Sequence, residues 1–258
     1  MAISRSPLRA LATFACILII WFGLTAGKFV DPIILPTPLS VAGALVELLT
    51  PSGLLIDLVA TLLRLLMALV IATAFGIPFG LWLGYHERIY AAIEGPLHAM
   101  RSVPPTALFP LFLILVGVGQ GSLVAMAAYP ALLVILINTI SGARLANRRR
   151  LQQAKILGLG AWATGTQVLF WEALPHILAG IRIAAGYGLA LSIAGEMFIG
   201  ISENGLGRKI YDFQSAYRIP ETYAAILVTG SVGITLNQLV TVAERRLLRW
   251  LPMASHEQ

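Results

Sequence analysis

The chain has 258 residues, of which 58% are hydrophobic and 12% are charged, and its mean hydropathy is +0.83. Soluble globular proteins carry about 25% charged residues, so the charges here are too few to cover a water-soluble fold of this size. The composition therefore indicates a membrane protein. The net charge of +6 would also fit a nucleic-acid-binding protein, but in a membrane protein excess Lys and Arg more often mark the cytoplasmic side. The single cysteine, Cys16, excludes an internal disulfide framework.

Stretches without ionisable side chains locate the candidate spans, because a membrane-crossing helix needs about 20 largely apolar residues. Six spans are predicted, at 9–27, 60–84, 104–118, 122–143, 173–200 and 222–243. These runs are apolar on every face, whereas the strands of a membrane barrel alternate between apolar and polar residues. We therefore predict an all-α, polytopic membrane protein with about six transmembrane helices in a single domain, residues 1–258.

The basic residues predict the orientation of these spans. With the N-terminus inside, 12 Lys and Arg residues fall in cytoplasmic segments and 4 in external segments, which places both termini in the cytoplasm. The first span follows two arginines, as a signal peptide would. However, its apolar stretch of 18 residues is longer than a signal h-region of 7–15 residues. We therefore predict a retained first helix.

Three connecting segments are long enough to carry structure. An amphipathic stretch at 41–49 predicts an external helix against the bilayer or the bundle, and 201–221 is predicted to be an external loop. The largest internal loop is 144–172. Within it, residues 151–157 predict a short helix that ends at Gly158, and Pro175 is predicted to lie in the first turn of the next span. The pattern leaves open whether this short helix docks on a soluble partner or lies on the membrane surface.

The chain shows no sign of catalytic chemistry. Its four histidines are dispersed, with no HExxH pattern and no carboxylate at metal-ligand spacing. The phosphate-binding loop G-x-x-x-x-G-K-[ST] is absent, so the chain is not expected to hydrolyse ATP by that loop. We predict no catalytic residues and no metal site, and the sequence disfavours an integral-membrane enzyme.

Three charged residues fall within predicted spans, namely Arg64, Arg182 and Glu196. Each needs a reason, since a charge near the bilayer centre costs at least about 2.5 kcal/mol on insertion scales. Arg64 is near the outer end of its span and could extend to the interface. Arg182 and Glu196 are about 21 Å apart along one helix, too far to pair. The side chains could lie on the pathway of an anionic substrate or be hydrogen-bonded between helices, and the sequence favours the second interpretation.

The internal loop resembles a motif of the inner-membrane permease subunits of binding-protein-dependent ABC importers. That motif is Glu-Ala-Ala, three residues, Gly, and nine residues before Ile-x-Leu-Pro. Gln152-Gln153-Ala154 stands where Glu-Ala-Ala would, and Gly158 has the expected spacing. The chain also resembles the nitrate, sulfonate and taurine branch of this family, in the stretches at 35–38, 63–64, 101–105 and 194–196. The chain departs from the motif at Gln152, Gln153 and Phe170-Trp171.

The resemblance implies a type I ABC importer permease fold in the inner membrane. It implies that the loop is a coupling helix seated in a groove of an ATPase subunit, with contacts by Gln152, Gln153, Ala154, Lys155 and Gly158. The implied partners are two ATPase subunits that carry ATP and Mg, a periplasmic or lipid-anchored substrate-binding protein, and a second permease subunit, expected as a homodimer. Membrane lipids surround the chain, and neither nucleic acid nor a cofactor of its own is expected.

The resemblance also implies the function, which is a translocation pathway for a small solute. An anion such as nitrate, a sulfonate or taurine is expected. The alternative is a self-contained secondary transporter, which would show paired inverted repeats, broken helices and midplane acids. Neither the repeats nor the acids are evident in the sequence, which favours the importer.

Overall fold

The computed structural model describes residues 7–49, 54–199 and 204–249, and these are almost entirely helical. Helices account for 86% of the chain, with no strand in the described parts. The last residue of the predicted span 173–200 and the first three of the predicted loop 201–221 lie outside the described residues. The helices are α1 (Pro7–Ala26), α2 (Pro38–Leu48), α3 (Leu55–Tyr85), α4 (Glu87–Ser102), α5 (Phe109–Val116), α6 (Gln120–Arg144), α7 (Arg148–Ile156), α8 (Ala161–Thr164), α9 (Phe170–Ile199), α10 (Leu206–Ser215) and α11 (Ile219–Leu247).

Four helical segments in the described ranges are long and apolar enough to cross a membrane: α3, α6, α11 and the continuous segment Ala161–Ile199. The helix α1 covers all but the last residue of the predicted first span, 9–27, and contributes a shorter apolar stretch, Ala12–Ala26. The prediction of an all-α, polytopic membrane protein is confirmed.

The predicted span 104–118 is wrong as a single straight helix. This stretch contains a 3₁₀ turn, Pro105–Leu108, followed by the eight-residue α5. Together they form the segment Pro105–Val116, whose axis makes an angle of 88° with that of α4. Val103 is extended, with ψ 124°, because the ring of a following proline disfavours the helical conformation. The helix α4 therefore ends at Ser102. A fifth span exists only if α4 and Pro105–Val116 together cross the membrane as one bent span.

The centre of the fold is a three-helix layer in which α6 lies between α3 and α9. Glycines allow the close approach: a Cβ at Gly80 would lie 2.6 Å from the Thr139 Cβ, and one at Gly180 would lie 2.8 Å from the Asn138 Cβ. Alanines fill much of the remaining interface, at 68, 72, 127, 131 and 184. Such interfaces suit a membrane protein, because close van der Waals packing rather than water exclusion brings helices together in lipid.

A second layer packs α2 and α10 against α11. Val41 of α2, Leu206 and Ile210 of α10, and Ala224 of α11 share one buried cluster. The predicted helix at 41–49 is confirmed as α2. Its start at Pro38 follows from Thr37, whose hydroxyl accepts the Ser40 N–H at 3.2 Å.

Two predicted boundaries need correction. The predicted loop 201–221 contains α10. Its apolar residues are buried on α11 and α9. Charged residues lie between them in the sequence, so the stretch is not apolar enough to stand out as a helix. Pro175 lies inside a helix rather than in its first turn, because α8 and a π-helical turn, Gly165–Leu169, continue the helix upstream. One unbroken helical segment, Ala161–Ile199, thus spans 39 residues.

Candidate functional site

The helix α7 forms the centre of the 144–172 segment and ends as the sequence predicts. Gly158 has φ +77°, the left-handed conformation that glycine adopts at no steric cost. The Gly158 N–H donates to the Lys155 carbonyl and the Leu159 N–H donates to the Ala154 carbonyl, both at 3.0 Å. These two bonds are the Schellman pattern, which satisfies carbonyls that the helix end leaves free. At its start, the Asn147 side chain accepts the Arg149 N–H at 3.0 Å, so α7 begins three residues before the predicted 151.

The five residues predicted to couple to an ATPase occupy two sides of this short helix. Gln152, Gln153, Lys155 and Gly158 are exposed, whereas Ala154 is buried against the rest of the chain. Leu151 anchors the same side, in the cluster of Ala143, Ala146 and Leu169. The segment is therefore fixed to the bundle by its apolar side and presents its two glutamines outward.

Apolar side chains that the sequence analysis did not single out lie beside these glutamines. Ile156, Leu157 and Trp162 are 84%, 78% and 85% exposed. Large apolar side chains grouped on a protein surface mark an interaction site or a membrane contact. Their sequence signal was the apolar pair at 156–157 at the end of an otherwise polar helix. We call Gln152, Gln153, Ile156, Leu157 and Trp162 the coupling face.

Ion pairs hold the first turn of α7 to neighbouring helices. Arg148 Nη2 lies 2.5 Å from Glu87 Oε1 of α4, and Arg150 Nε lies 2.9 Å from Glu172 Oε1 of α9. Glu172 also accepts the Asn147 N–H at 3.3 Å. Because both arginines are more than half exposed, each pair contributes at most about 1 kcal/mol. They orient the segment relative to α4 and α9.

Arg64 and Glu196, which the sequence placed in different spans, form a buried ion pair. Arg64 Nη1 lies 2.5 Å from Glu196 Oε1, and the two residues are 4% and 1% exposed. Arg64 Nε also donates to Gln120 Oε1 at 2.6 Å, and Nη2 donates to the Asn204 carbonyl at 2.8 Å. The expectation that Arg64 extends to the interface is therefore wrong, since acceptors from α6, α9 and residue 204 surround its guanidinium.

The same carboxylate binds the start of α10. Glu196 Oε2 accepts the Gly207 N–H at 2.9 Å, Thr61 Oγ1 accepts the Leu206 N–H at 2.9 Å, and Asp57 Oδ1 accepts the Gly205 N–H at 2.7 Å. Thr61 in turn donates to Glu196 at 2.9 Å. Three otherwise unsatisfied N–H groups of the helix start are thus bound by side chains of α3 and α9.

Sequence reasoning missed Asp57 and Thr61, although a signal for them exists. Asp57, Thr61 and Arg64 are spaced i, i+4, i+7, which places three polar side chains on one face of an apolar helix. Their partners on α9 and α10 lie more than 130 residues away, so the sequence alone does not identify them. We call Asp57, Thr61, Arg64, Glu196 and the amides of 205–207 the ionic latch.

Glycines make the close approach of α10 possible. A Cβ at Gly207 would collide with the Ile193 carbonyl and lie 2.8 Å from the Glu196 Cβ. At Gly205, with φ +153°, a Cβ would lie 2.6 Å from the Glu196 Cδ. The latch therefore requires glycine at both positions.

Arg182, the third charged residue predicted within a span, is separate from this cluster. Its Nη1 lies 3.0 Å from Glu244 Oε2 of α11, and its side chain is 39% exposed. The pair joins α9 to α11. The predicted lack of an Arg182–Glu196 contact agrees with this arrangement.

A cavity of about 500 Å³ borders the ionic latch. Its polar lining comes from Arg64, Gln120 and Asn204, and its apolar lining includes Leu63 and Met67. Because Glu196 balances the charge of Arg64, the cavity has no uncompensated cation from that residue. Across the described ranges, no group of three or more His, Cys, Asp or Glu side chains could hold a metal ion.

Ser192 of α9 supplies a test of how a buried hydroxyl affects stability. Its hydroxyl is buried and has no hydrogen-bond partner among the described residues. An unsatisfied buried hydroxyl costs about 1–3 kcal/mol. We expect Ser192→Ala to raise the thermal unfolding temperature by a few degrees, measured on detergent-purified protein. Thr139→Val, which removes a satisfied hydroxyl, is the control and should not raise it; a lower temperature for Ser192→Ala would show that the hydroxyl is used.

Comparisons with known proteins identify the family. Residues 76–251 match the family described as binding-protein-dependent transport system inner membrane component. The chain belongs to this family. The taurine transport system permease protein of Escherichia coli is 27% identical over 257 residues, covering 96% of this chain and 91% of that protein. A putative aliphatic sulfonates transport permease protein of Bacillus subtilis and a nitrate import permease protein of a Synechocystis species are each also 27% identical, covering 92% and 93% of this chain and 85% and 89% of those proteins.

Solved structures confirm the permease fold. One structure of the MetNI methionine ABC transporter matches with a TM-score of 0.63 at 18% identity, covering 76% of this chain and 94% of that chain. An amino acid ABC transporter matches with a TM-score of 0.58 at 18% identity, covering 81% and 96%. The predicted ABC permease fold is therefore confirmed, and the relatives of this inner-membrane component are transport permeases rather than enzymes.

Proposed function

We propose that this permease forms the translocation pathway of an ATP-driven importer and that its coupling face docks on an ATPase subunit. The observation that carries the proposal is the coupling face itself: Ile156 and Leu157 are exposed at the end of the helix that Gly158 terminates, and Trp162 is exposed in α8, which follows. Docking needs no carboxylate at positions 152 or 153, because the glutamines supply neutral hydrogen-bonding groups beside an apolar contact. This docking role is favoured over contact with the membrane surface by the family to which the chain belongs.

The energy source is proposed to lie on the partner. Two ATPase subunits would bind ATP and Mg, and this chain would supply no cofactor. A second copy of the permease and a substrate-binding protein, periplasmic or lipid-anchored, would complete the complex. The basic residues favour an orientation in which both termini and the 144–172 segment face the cytoplasm, which places α2 and α10 outside.

The proposed substrate is a small anion of the nitrate, sulfonate or taurine type. Support comes from the relatives, which are named for taurine, aliphatic sulfonates and nitrate. Arg64 is a weak candidate for direct substrate binding, because three groups of the protein already accept its N–H groups. Arg64 and Glu196 are therefore assigned to helix packing, and the partly exposed Arg182 remains the better candidate for the pathway.

Co-purification and uptake test the proposal together. The permease should co-purify in mild detergent with an ABC-type ATPase subunit of its own cell. Proteoliposomes containing the complex and its binding protein should take up labelled taurine, an alkanesulfonate or nitrate only when ATP is supplied to the ATPase side. Vesicles with the permease alone are the control. Uptake by the permease alone, without ATP, would contradict the proposal and support a secondary transporter.

A further inference from the structure

One residue of the coupling face, Trp162, and one residue of the ionic latch, Glu196, lie on the same continuous helical segment, Ala161–Ile199. The coupling face ends at Trp162, at the start of the segment Ala161–Ile199, and Glu196 lies one turn before its other end. At 1.5 Å per residue, the 34 residues from Trp162 to Glu196 correspond to about 50 Å. The segment is thus long enough to connect the two sides of the membrane.

The latch binds α10 through hydrogen bonds from its backbone N–H groups to side-chain oxygens, in addition to apolar packing. The N–H groups of Gly205, just before α10, and of Leu206 and Gly207, at its start, have side-chain acceptors, two of which are carboxylates. Lys209 Nζ of α10 lies 3.8 Å from Asp57 Oδ2, so the charges of Arg64 and Lys209 balance those of Asp57 and Glu196. A buried ion pair contributes little net stability compared with apolar packing, but it requires one specific arrangement. This favours a role in fixing the position of α10.

We infer that the ionic latch fixes α10 to the outer end of the long helical segment, so that α10 shifts when the coupling face shifts. The inference rests on the proposed function, because an ATPase must move the coupling face. It assigns Asp57, Thr61 and Glu196 a positioning role: they make α10, which also packs on α11, move as one body with α3 and α9. The position of α10 would then depend on the state of the ATPase on the opposite side of the membrane.

Hydrogen–deuterium exchange of the complete transporter in nanodiscs tests this inference. Thr61→Val removes the acceptor of the Leu206 N–H while keeping the size of the side chain. The amides of 205–207 are expected to exchange at least about tenfold faster in this variant than in the unmodified protein. Thr139→Val is the matched control: Thr139 is equally buried, but its hydroxyl donates to Ile135 within its own helix. It should leave exchange of α10 unchanged.

A second arm adds nucleotide. With ATP and vanadate, exchange should change in both α7 and the first turn of α10 of the unmodified complex, and only in α7 of Thr61→Val. Gly207→Ala, which displaces α10 sterically, should behave like Thr61→Val. Equal α10 exchange in the Thr61 and Thr139 variants would overturn the inference, and so would an α10 response to nucleotide that survives both latch variants.

Different results would contradict the proposed coupling function and the role inferred for the ionic latch. If no ATPase associates, or if α7 does not respond to nucleotide, the proposed coupling function is wrong. The nucleotide-free comparison of Thr61→Val with Thr139→Val still decides whether the latch holds α10, because it needs only the folded permease.

Discussion

Gly158→Trp is expected to abolish ATP-driven uptake while leaving membrane insertion intact. Two effects combine at this position. A non-glycine residue at φ +77° is strained by about 1 kcal/mol, and a bulky side chain would project from the coupling face into the space that the ATPase is proposed to occupy. Apart from the two chain neighbours, no atom of the described residues lies within 4 Å of a Cβ built there, so a side chain can leave the backbone without a clash at its first atom. Uptake by reconstituted vesicles and the amount of inserted protein are the two measurements.

Two controls separate backbone strain from lost docking. Gly158→Asn introduces a residue that tolerates the left-handed conformation and should keep a substantial part of the transport. Gly43→Trp places the same bulk at an open, exposed position of α2 and should keep near-normal transport. Full uptake by Gly158→Trp would show that this face does not couple to an ATPase.

Arg64→Leu is expected to destabilise the permease by about 3–5 kcal/mol, the usual cost of leaving one partner of a buried ion pair uncompensated. The Glu196 carboxylate would remain buried beside Thr61 and Gly207 without its cation. For a domain of this size the loss corresponds to a fall of the order of 10 °C in unfolding temperature. Thermal unfolding of the detergent-solubilised protein, followed by size-exclusion chromatography, measures it.

A second substitution at Glu196 distinguishes pairing from simple packing. Arg64→Leu/Glu196→Gln should recover much of the lost stability, since the amide is neutral and its oxygen still accepts the Gly207 N–H. Arg182→Leu breaks a pair whose arginine is 39% exposed, and should cost only about 0–1 kcal/mol. Equal losses of stability for Arg64→Leu and Arg182→Leu would mean that the buried ion pair contributes no more to stability than the partly exposed one.

The helices and the end of α7 follow from local rules that act within a few residues. Apolar runs of about 20 residues predict spans, and Gly158 predicts a helix end because glycine alone adopts the left-handed conformation freely. The prediction of one straight span at 104–118 is wrong for a local reason as well. Two successive prolines end α4 at Ser102, and the chain continues in a different direction as a 3₁₀ turn. That boundary was readable in the sequence from Pro104 and Pro105.

Sequence by itself determined that this chain is a helical membrane protein, where its apolar segments lie and which loop carries the permease motif. Only the tertiary structure showed that Arg64 and Glu196 pair, that α10 exists and is bound by Asp57, Thr61 and Glu196, and that Arg182 contacts Glu244 instead. The physical reason is distance along the chain. Hydropathy and capping act between near neighbours, whereas the partners of these charged side chains lie 56 to 148 residues away, and only packing brings them within hydrogen-bond reach.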